Sequence, residues 1–182
     1  MKRFVATGLV LSFGVAAAVL EAQQPAQPTK SHEWLAQLVG EWETEAEVVA
    51  QPGQPPIKFK GTETVRSIGG FWTLAEVQST IFDQPFTGVM TLGYDPEKQQ
   101  YVGTWIDSMS HYLWRYEGSV DDASRVLTLE AEGPSMAAPG TTARYRETFE
   151  IKDKDHKVFT SSIEVEPGQW HTFMTVHYHR KK

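Results

Sequence analysis

One predicted hairpin gathers most of the residues that could bind a small molecule. Residues 101–108 and 111–118 can pair as two strands, which sets Trp105 opposite Trp114, Gly103 opposite Tyr116 and Asp107 opposite Tyr112. One face of this hairpin then carries several large rings and a single carboxylate, namely Tyr101, Trp105, Asp107, Tyr112, Trp114 and Tyr116. Such a wall is either ordinary core packing or the lining of a pocket for a small apolar or amphipathic ligand. Both alternatives stay open because a wall inside a barrel can serve as core and cavity lining together.

Trp72 and Glu76, on a neighbouring predicted strand, complete the candidate ligand-binding set. Glu76 stands between apolar neighbours, and it could face inward together with Asp107, Arg144 and Arg146. A buried acid facing an arginine can be structural, a ligand anchor or a general acid. A hydrolase or isomerase is therefore the enzymatic alternative. No Gly-x-Ser-x-Gly or His-Glu-x-x-His motif occurs, so the sequence predicts no catalytic residue.

The histidines cluster in the last predicted hairpin. Pro167 and Gly168 predict a two-residue turn in which Glu166 pairs with Gln169. This register gives a buried face with Phe159, Ile163, Val165, Trp170, Met174, Val176 and Tyr178. The opposite face carries His171, His177 and His179, with His156 across from His179. Solvated histidines explain this face, so we predict no metal site. A haem-binding barrel, the other alternative, needs an inward histidine that this register does not supply, and we predict no cofactor.

Ten short segments of alternating apolar and polar residues position these groups. The alternation is complete over residues 41–48, where four glutamates face one way and Trp42 the other. Nine further strands are predicted at 57–66, 71–82, 86–94, 100–108, 111–119, 125–132, 142–152, 157–166 and 169–179. Turn residues separate them, so sequence neighbours should pair into an all-β, antiparallel, up-and-down barrel of about ten strands. A short helix at 32–39 should cap one end.

The beginning of the chain predicts export. Residues 1–22 have a basic start, an apolar stretch and a small residue at Ala22, as in a cleavable signal peptide. Residues 23–31 are then a flexible tether and 32–182 the barrel domain. We therefore expect a periplasmic or extracellular protein with no integral membrane span after cleavage. Its oligomeric state is left open.

Composition narrows the classes of function. The chain has no cysteine, which excludes disulfides, thiol nucleophiles and thiolate metal sites. Its formal net charge is −6, with no basic stripe of the kind that binds phosphates. We therefore predict no nucleic-acid partner.

Several motifs resemble a known family. They are LGYDPEKQQYVGTWIDSMS at 92–110, LVGEW at 38–42, IGGFW at 68–72, DKDH at 153–156 and MTVHYHRKK at 174–182. Together they resemble the bacterial domain of unknown function 1579, over nearly all of residues 32–182. The resemblance implies a lipocalin-like β-barrel with no established activity, and it supplies no functional residues. Gly40, Glu41 and Trp42 also match the Gly-x-Trp of lipocalins, where an arginine from the last strand, here Arg180, packs on the tryptophan. The overall prediction is an exported lipocalin-like barrel that binds a small apolar or amphipathic molecule in its lumen.

Overall fold

The computed structural model describes residues 26–49, 54–136 and 138–182. The predicted signal peptide lies outside the described residues, and so does part of the predicted tether. Within the described ranges, no helix has both the length and the apolar character needed to cross a membrane.

Ten antiparallel strands follow one another along the chain and close into a barrel. They are β1 (Gly40–Val48), β2 (Ile57–Ile68), β3 (Trp72–Ile81), β4 (Gln84–Asp95), β5 (Gln100–Asp107), β6 (Trp114–Val120), β7 (Val126–Pro134), β8 (Thr142–Asp153), β9 (His156–Glu166) and β10 (Gln169–Arg180). Each strand pairs with its neighbours in sequence, and β1 pairs with β10 to complete the ring. Closure leaves no strand edge unpaired, which is why a long meander of this kind is stable. The predicted all-β, up-and-down barrel is thereby confirmed.

A short helix closes one end of the barrel. The helix α1 (Lys30–Leu35) begins two residues before the predicted start and continues as a 3-10 turn, Ala36–Leu38. The Trp34 indole donates a hydrogen bond to the Ser124 carbonyl (3.0 Å), in the turn between β6 and β7. The Tyr101 hydroxyl donates to the Ser31 carbonyl (2.9 Å). Buried side chains and these two bonds hold an element that is too short to be stable alone.

The base of the barrel is built around Trp42. This residue is 1 % exposed, and its indole donates to the Leu38 carbonyl (3.0 Å). The Arg180 guanidinium lies 4.0 Å from the centre of the Trp42 ring and donates to the Val39 carbonyl (2.7 Å). Gly40, with φ of +141°, brings the backbone so close to Arg180 that a side chain there would clash. This arrangement is the one expected from the Gly-x-Trp motif.

The last hairpin follows the predicted register except in its middle. Glu166 pairs with Gln169, and Phe159 pairs with Val176, as expected. Between these points the register shifts twice, once near the turn and once between Thr172 and Met174. Each extra residue in a strand reverses which face its neighbours occupy.

Three side chains therefore lie where the sequence analysis did not expect them. Trp170 packs on the outside, 4.0 Å below the Arg146 guanidinium, and Val165 is 60 % exposed. His171 pairs with Ile163, which pairs in turn with Tyr145. Because paired residues share a face, His171 belongs to the inner face near the open end rather than to the solvated one.

Candidate functional site

A cavity of about 380 Å³ occupies the barrel between the helix-capped end and the opposite set of hairpins. Most of its lining is apolar, contributed by Ala46, Val48, Phe59, Val77, Ile81, Phe86, Met90, Trp105, Trp114, Met136, Phe149, Phe159, Phe173, Met174 and Val176. The remaining lining residues are Thr44, Glu63, Ser79, Asp107, Tyr116, Tyr145, Glu147, Ser161 and Tyr178. Val48, Ile81 and Met136 lie at or beyond strand ends, so the cavity reaches the open mouth of the barrel. Its size and apolar character are typical of a small-molecule site.

Half of the sequence-predicted binding residues line this cavity, namely Trp105, Asp107, Trp114 and Tyr116. The predicted pairings of Trp105 with Trp114 and of Gly103 with Tyr116 are present in the ladder between β5 and β6. That ladder ends at the tryptophan pair, so Tyr112 does not pair with Asp107.

The other four predicted residues lie elsewhere. Tyr101 is buried against Trp34 at the helix-capped end. Trp72 is 42 % exposed and covers Gly93. Glu76 is exposed and accepts a hydrogen bond from the Gln78 side chain (2.8 Å). Tyr112 lies near the rim, where its hydroxyl donates to the Glu132 carbonyl (3.0 Å).

The two arginines that were considered as inward partners also face outward. Arg146 and Arg144 both bond to Glu130 on the outer surface, at 2.7 and 3.0 Å. Their ion pairs hold the pKa of Glu130 below its usual range. Arg144 and Arg146 therefore do not pair with Glu76 or Asp107, and Glu76 and these two arginines belong to a solvated face.

Glycines determine how the two cavity tryptophans lie. The Trp105 ring rests on Gly88 of β4, and the Trp114 ring rests on Gly133 of β7, so closely that a β-carbon at either glycine would overlap the indole. Cross-strand contact of this kind covers the glycine and fixes the plane of the ring. The indoles therefore lie along the wall and leave the centre of the lumen open.

Asp107 is held by the hairpin rather than free in the lumen. One of its carboxylate oxygens accepts from the Trp105 indole (2.9 Å), and the other accepts from the Met109 amide (2.8 Å). Its charge faces the mouth, but both oxygens already have a protein donor. Asp107 therefore orients Trp105 and contributes negative potential at the entrance.

Glu147 is the functional candidate that the sequence analysis missed. It lies on β8 directly opposite Ser161 of β9, whose hydroxyl donates to Oε1 (2.9 Å). Oε2 is the buried side-chain atom that has no hydrogen-bond partner among the described residues. Burial raises the pKa of Glu147 to about 8, with the Ser161 hydrogen bond acting in the opposite direction. The strict alternation Tyr145, Glu147, Phe149 in the sequence was a usable signal for an inward carboxyl.

A second buried acid, Glu63, is compensated. The Lys157 ammonium donates to Glu63 Oε2 at 2.5 Å, and both side chains are almost completely buried. The ammonium also lies 4.5 Å from the ring centres of Trp42 and Tyr178. Burial lowers the pKa of Lys157, and the neighbouring Glu63 opposes that change. This pair belongs to the closed base of the barrel.

Acidic side chains are present in the cavity wall. It carries the carboxyl groups of Glu63, Asp107 and Glu147, and none of the described residues that line it is a lysine, arginine or histidine. Burial raises the pKa of the Tyr116 hydroxyl well above its usual value, and the carboxyl groups of Glu147 and Asp107 add to this effect. His171 has the inner-face position that a haem-binding barrel would need, but it is not one of the described residues that line this cavity.

Three histidines stack on the outer surface. The rings of His156 and His179 are 4.8 Å apart, and His156 Nε2 lies 3.3 Å from His177 Nδ1. Within the described ranges, no set of three or more histidine and carboxylate side chains is arranged to hold a metal ion. Burial lowers the pKa of His156, and the neighbouring histidines act in the same direction.

These features define a closed, ten-stranded, lipocalin-like barrel with an apolar lumen. The chain belongs to the family described as "Protein of unknown function (DUF1579)", which matches residues 27–180. Comparison with curated proteins gives no match.

Two solved structures share the fold. Rv2717c from M. tuberculosis has a TM-score of 0.56 at 12 % identity, over 86 % of this chain and 100 % of that one. The S-type phycobiliprotein lyase CPES from Guillardia theta has a TM-score of 0.53 at 11 % identity, over 84 % and 93 %. At these identities the similarity shows the barrel fold and specifies no ligand.

Proposed function

We propose that this protein binds a small apolar or amphipathic molecule in the lumen of its barrel. The observation that carries the proposal is the cavity itself, about 380 Å³ of space that the surrounding aromatic side chains leave open. Protein interiors are normally packed to the density of organic crystals. An apolar cavity of this size therefore lowers the stability of the folded protein unless a ligand occupies it.

Burial against the apolar lining is sufficient for micromolar affinity. Apolar burial contributes roughly 25 cal/mol for each Å² removed from water. Micromolar affinity corresponds to about 8 kcal/mol, which a ligand that buries most of its surface in such a pocket can reach. Trp105 and Trp114 are fixed on their glycines, so little side-chain freedom is lost on binding.

An apolar fluorescent probe tests the proposal. Wild type should bind it with micromolar affinity, measured by calorimetry and by the change in tryptophan emission. Trp105→Ala should weaken binding about tenfold while the barrel stays folded, because the ring lines the cavity and stacks with Phe86. Trp72→Ala is the matched control, since this tryptophan lies outside the cavity and should leave affinity unchanged. Absence of probe binding to wild type, or equal losses in both variants, would refute lumen binding.

One observation favours a second candidate, a hydrolase or isomerase. Glu147 is a buried carboxyl whose pKa is raised to about 8, the property expected of a general acid near neutral pH. Acid–base chemistry also needs a second group in reach, and the Ser161 hydroxyl is engaged as a donor to Glu147. Binding is therefore the function that the geometry supports best.

We also propose that binding takes place after export, in the periplasm or outside the cell. The support is the pattern of residues 1–22, with its basic start and apolar stretch ahead of Ala22.

A further inference from the structure

The chemistry of the lumen ligand follows from a buried side-chain oxygen that the described residues leave unpaired. Glu147 is 5 % exposed, and its Oε2 has no hydrogen-bond partner among the described residues while Oε1 accepts from Ser161. An unpaired buried oxygen of this kind is unfavourable, because it has lost its hydrogen bonds to water and gained none in the protein. A ligand group that bonds to Oε2 would recover this cost.

The charges around the lumen restrict what that group can be. Three carboxyl groups line the wall, and the described lining residues include no cationic side chain. Lys157 is paired with Glu63 and does not line the cavity. A carboxylate or phosphate ligand would enter a pocket whose described lining offers it no counter-charge, so its desolvation would be uncompensated.

We propose that the lumen is selective for amphipathic amines, with the ammonium group bonded to Glu147 Oε2 and the apolar body against the aromatic wall. This inference rests on the proposed lumen binding and adds the class of ligand to it. An ammonium group donates to a carboxylate in a charge-assisted hydrogen bond, about twice as strong as a neutral one. The surrounding tyrosine and tryptophan rings add favourable contact with a cation.

Proton balance gives the inference a measurable signature. The buried carboxyl of the free protein holds its proton at neutral pH, while an alkyl ammonium is already charged in water. Forming the ion pair therefore releases the Glu147 proton to solvent below about pH 8. The groups that face Glu147 are the Ser161 hydroxyl and the hydroxyls of Tyr116, Tyr145 and Tyr178. Burial raises the pKa of each tyrosine, so none of them titrates in this range.

Three probes of equal chain length separate the possibilities: n-octylamine, 1-octanol and octanoate. Calorimetry at about pH 7 should show octylamine binding at least about tenfold more tightly than the other two. Repeating the titration in buffers of different ionisation enthalpy should show release of up to about one proton at pH 7 and less at pH 9. Octylamine affinity should rise between these two pH values.

Two variants assign the effect to Glu147. In Glu147→Gln the ratio of octylamine affinity to octanol affinity should be about tenfold lower than in wild type, while octanol still binds. Glu150→Gln is the control, because Glu150 lies on the same strand, pairs with Lys152 (2.6 Å) and does not line the cavity. It should bind all three probes as wild type does. Circular dichroism establishes that each variant is folded, and the proton release of wild type tests the inference even where Glu147→Gln does not fold.

The outcomes separate this inference from the proposed function. Equal or tighter binding of octanol or octanoate, or an unchanged amine preference in Glu147→Gln, overturns amine selectivity while lumen binding stands. Octylamine binding without proton release at pH 7 also overturns it. Failure of every probe, octanol included, refutes lumen binding itself and amine selectivity with it.

Discussion

Replacing Glu147 by glutamine should change how the stability of the protein depends on pH. The carboxyl has an ordinary pKa of 4.5 in the unfolded chain and about 8 in the barrel, because burial disfavours its charge. A carboxyl with a raised folded pKa keeps its proton after the unfolded chain has released it. As the pH rises from about 4.5 to about 8, the free energy of unfolding of wild type should therefore fall relative to that of Glu147→Gln, whose side chain does not titrate.

The size of the effect follows from the two pKa values. At about 1.4 kcal/mol for each pKa unit, the interval from 4.5 to about 8 sets an upper bound of about 5 kcal/mol. The effective cost of burying a charge in a protein falls below such a bound because the surroundings relax around it, so we expect on the order of 2 to 4 kcal/mol. Because all other groups titrate equally in both proteins, the difference between the two stability profiles isolates this carboxyl.

Urea denaturation at a series of pH values from about 4.5 to about 9 measures the difference directly. The advantage of Glu147→Gln over wild type should grow steadily through this interval and become constant above about pH 8. Glu150→Gln, on the outer face of the same strand, should follow the wild-type profile to within about 0.5 kcal/mol. A difference between wild type and Glu147→Gln that does not vary with pH would mean that Glu147 is hydrated and ionised, and the argument from its burial would be wrong.

Two further predictions concern the base of the barrel and the mature chain. Lys157→Met should destabilise the protein by about 3 to 5 kcal/mol in urea, because it leaves the buried Glu63 without its counter-charge. Adding Glu63→Gln should restore part of the loss, and Lys154→Met, at an exposed lysine, should cost less than about 0.5 kcal/mol; equal losses at the two lysines would contradict this. The exported protein should begin at or near Gln23, and a full-length product in the intact mass spectrum would contradict cleavage.

Local patterns were sufficient to predict the strands of this fold. Alternation with a period of two places each strand, and turn residues such as Pro167 and Gly168 separate neighbours. All ten predicted strands are present, with ends that differ by at most three residues. The pairing of Trp105 with Trp114 was predictable for the same reason, since it depends only on where the hairpin turns.

It was harder to predict which residues line the cavity. Alternation shows whether a side chain lies on the inner or the outer face of the sheet, but not its position along the barrel axis. Tyr101 and Trp105 share the inner face, but four residues along a strand span about 13 Å. Tyr101 therefore contacts the helix, whereas Trp105 lines the cavity. On β3 the apolar residues fall on both faces, and the structure turns Thr73 and Ala75 inward, which leaves Glu76 in solvent.

The register shifts in the last hairpin have no comparable local signal. The residues on either side of the shifted segment pair as predicted, so their sequence gives no sign that the register changes between them. The displacement reverses the face of residues 170–172 in β10, which moves Trp170 onto the arginines of the outer face. Such irregularities depend on how the whole sheet closes into a barrel.

The two buried glutamates explain why the two ends of the lumen have different roles. Glu63 is paired with Lys157, and the Lys157 ammonium also lies against the rings of Trp42 and Tyr178, so this buried acid already has its partner within the protein. Glu147 lies on a neighbouring part of the same inner surface with only a serine hydroxyl as its partner. A buried acid that served stability alone would be better satisfied or replaced by an apolar side chain, since an unpaired oxygen is a net cost. The Glu63–Lys157 pair therefore stabilises the base of the barrel, whereas Glu147 offers an unpaired oxygen to which a ligand in the cavity can bond.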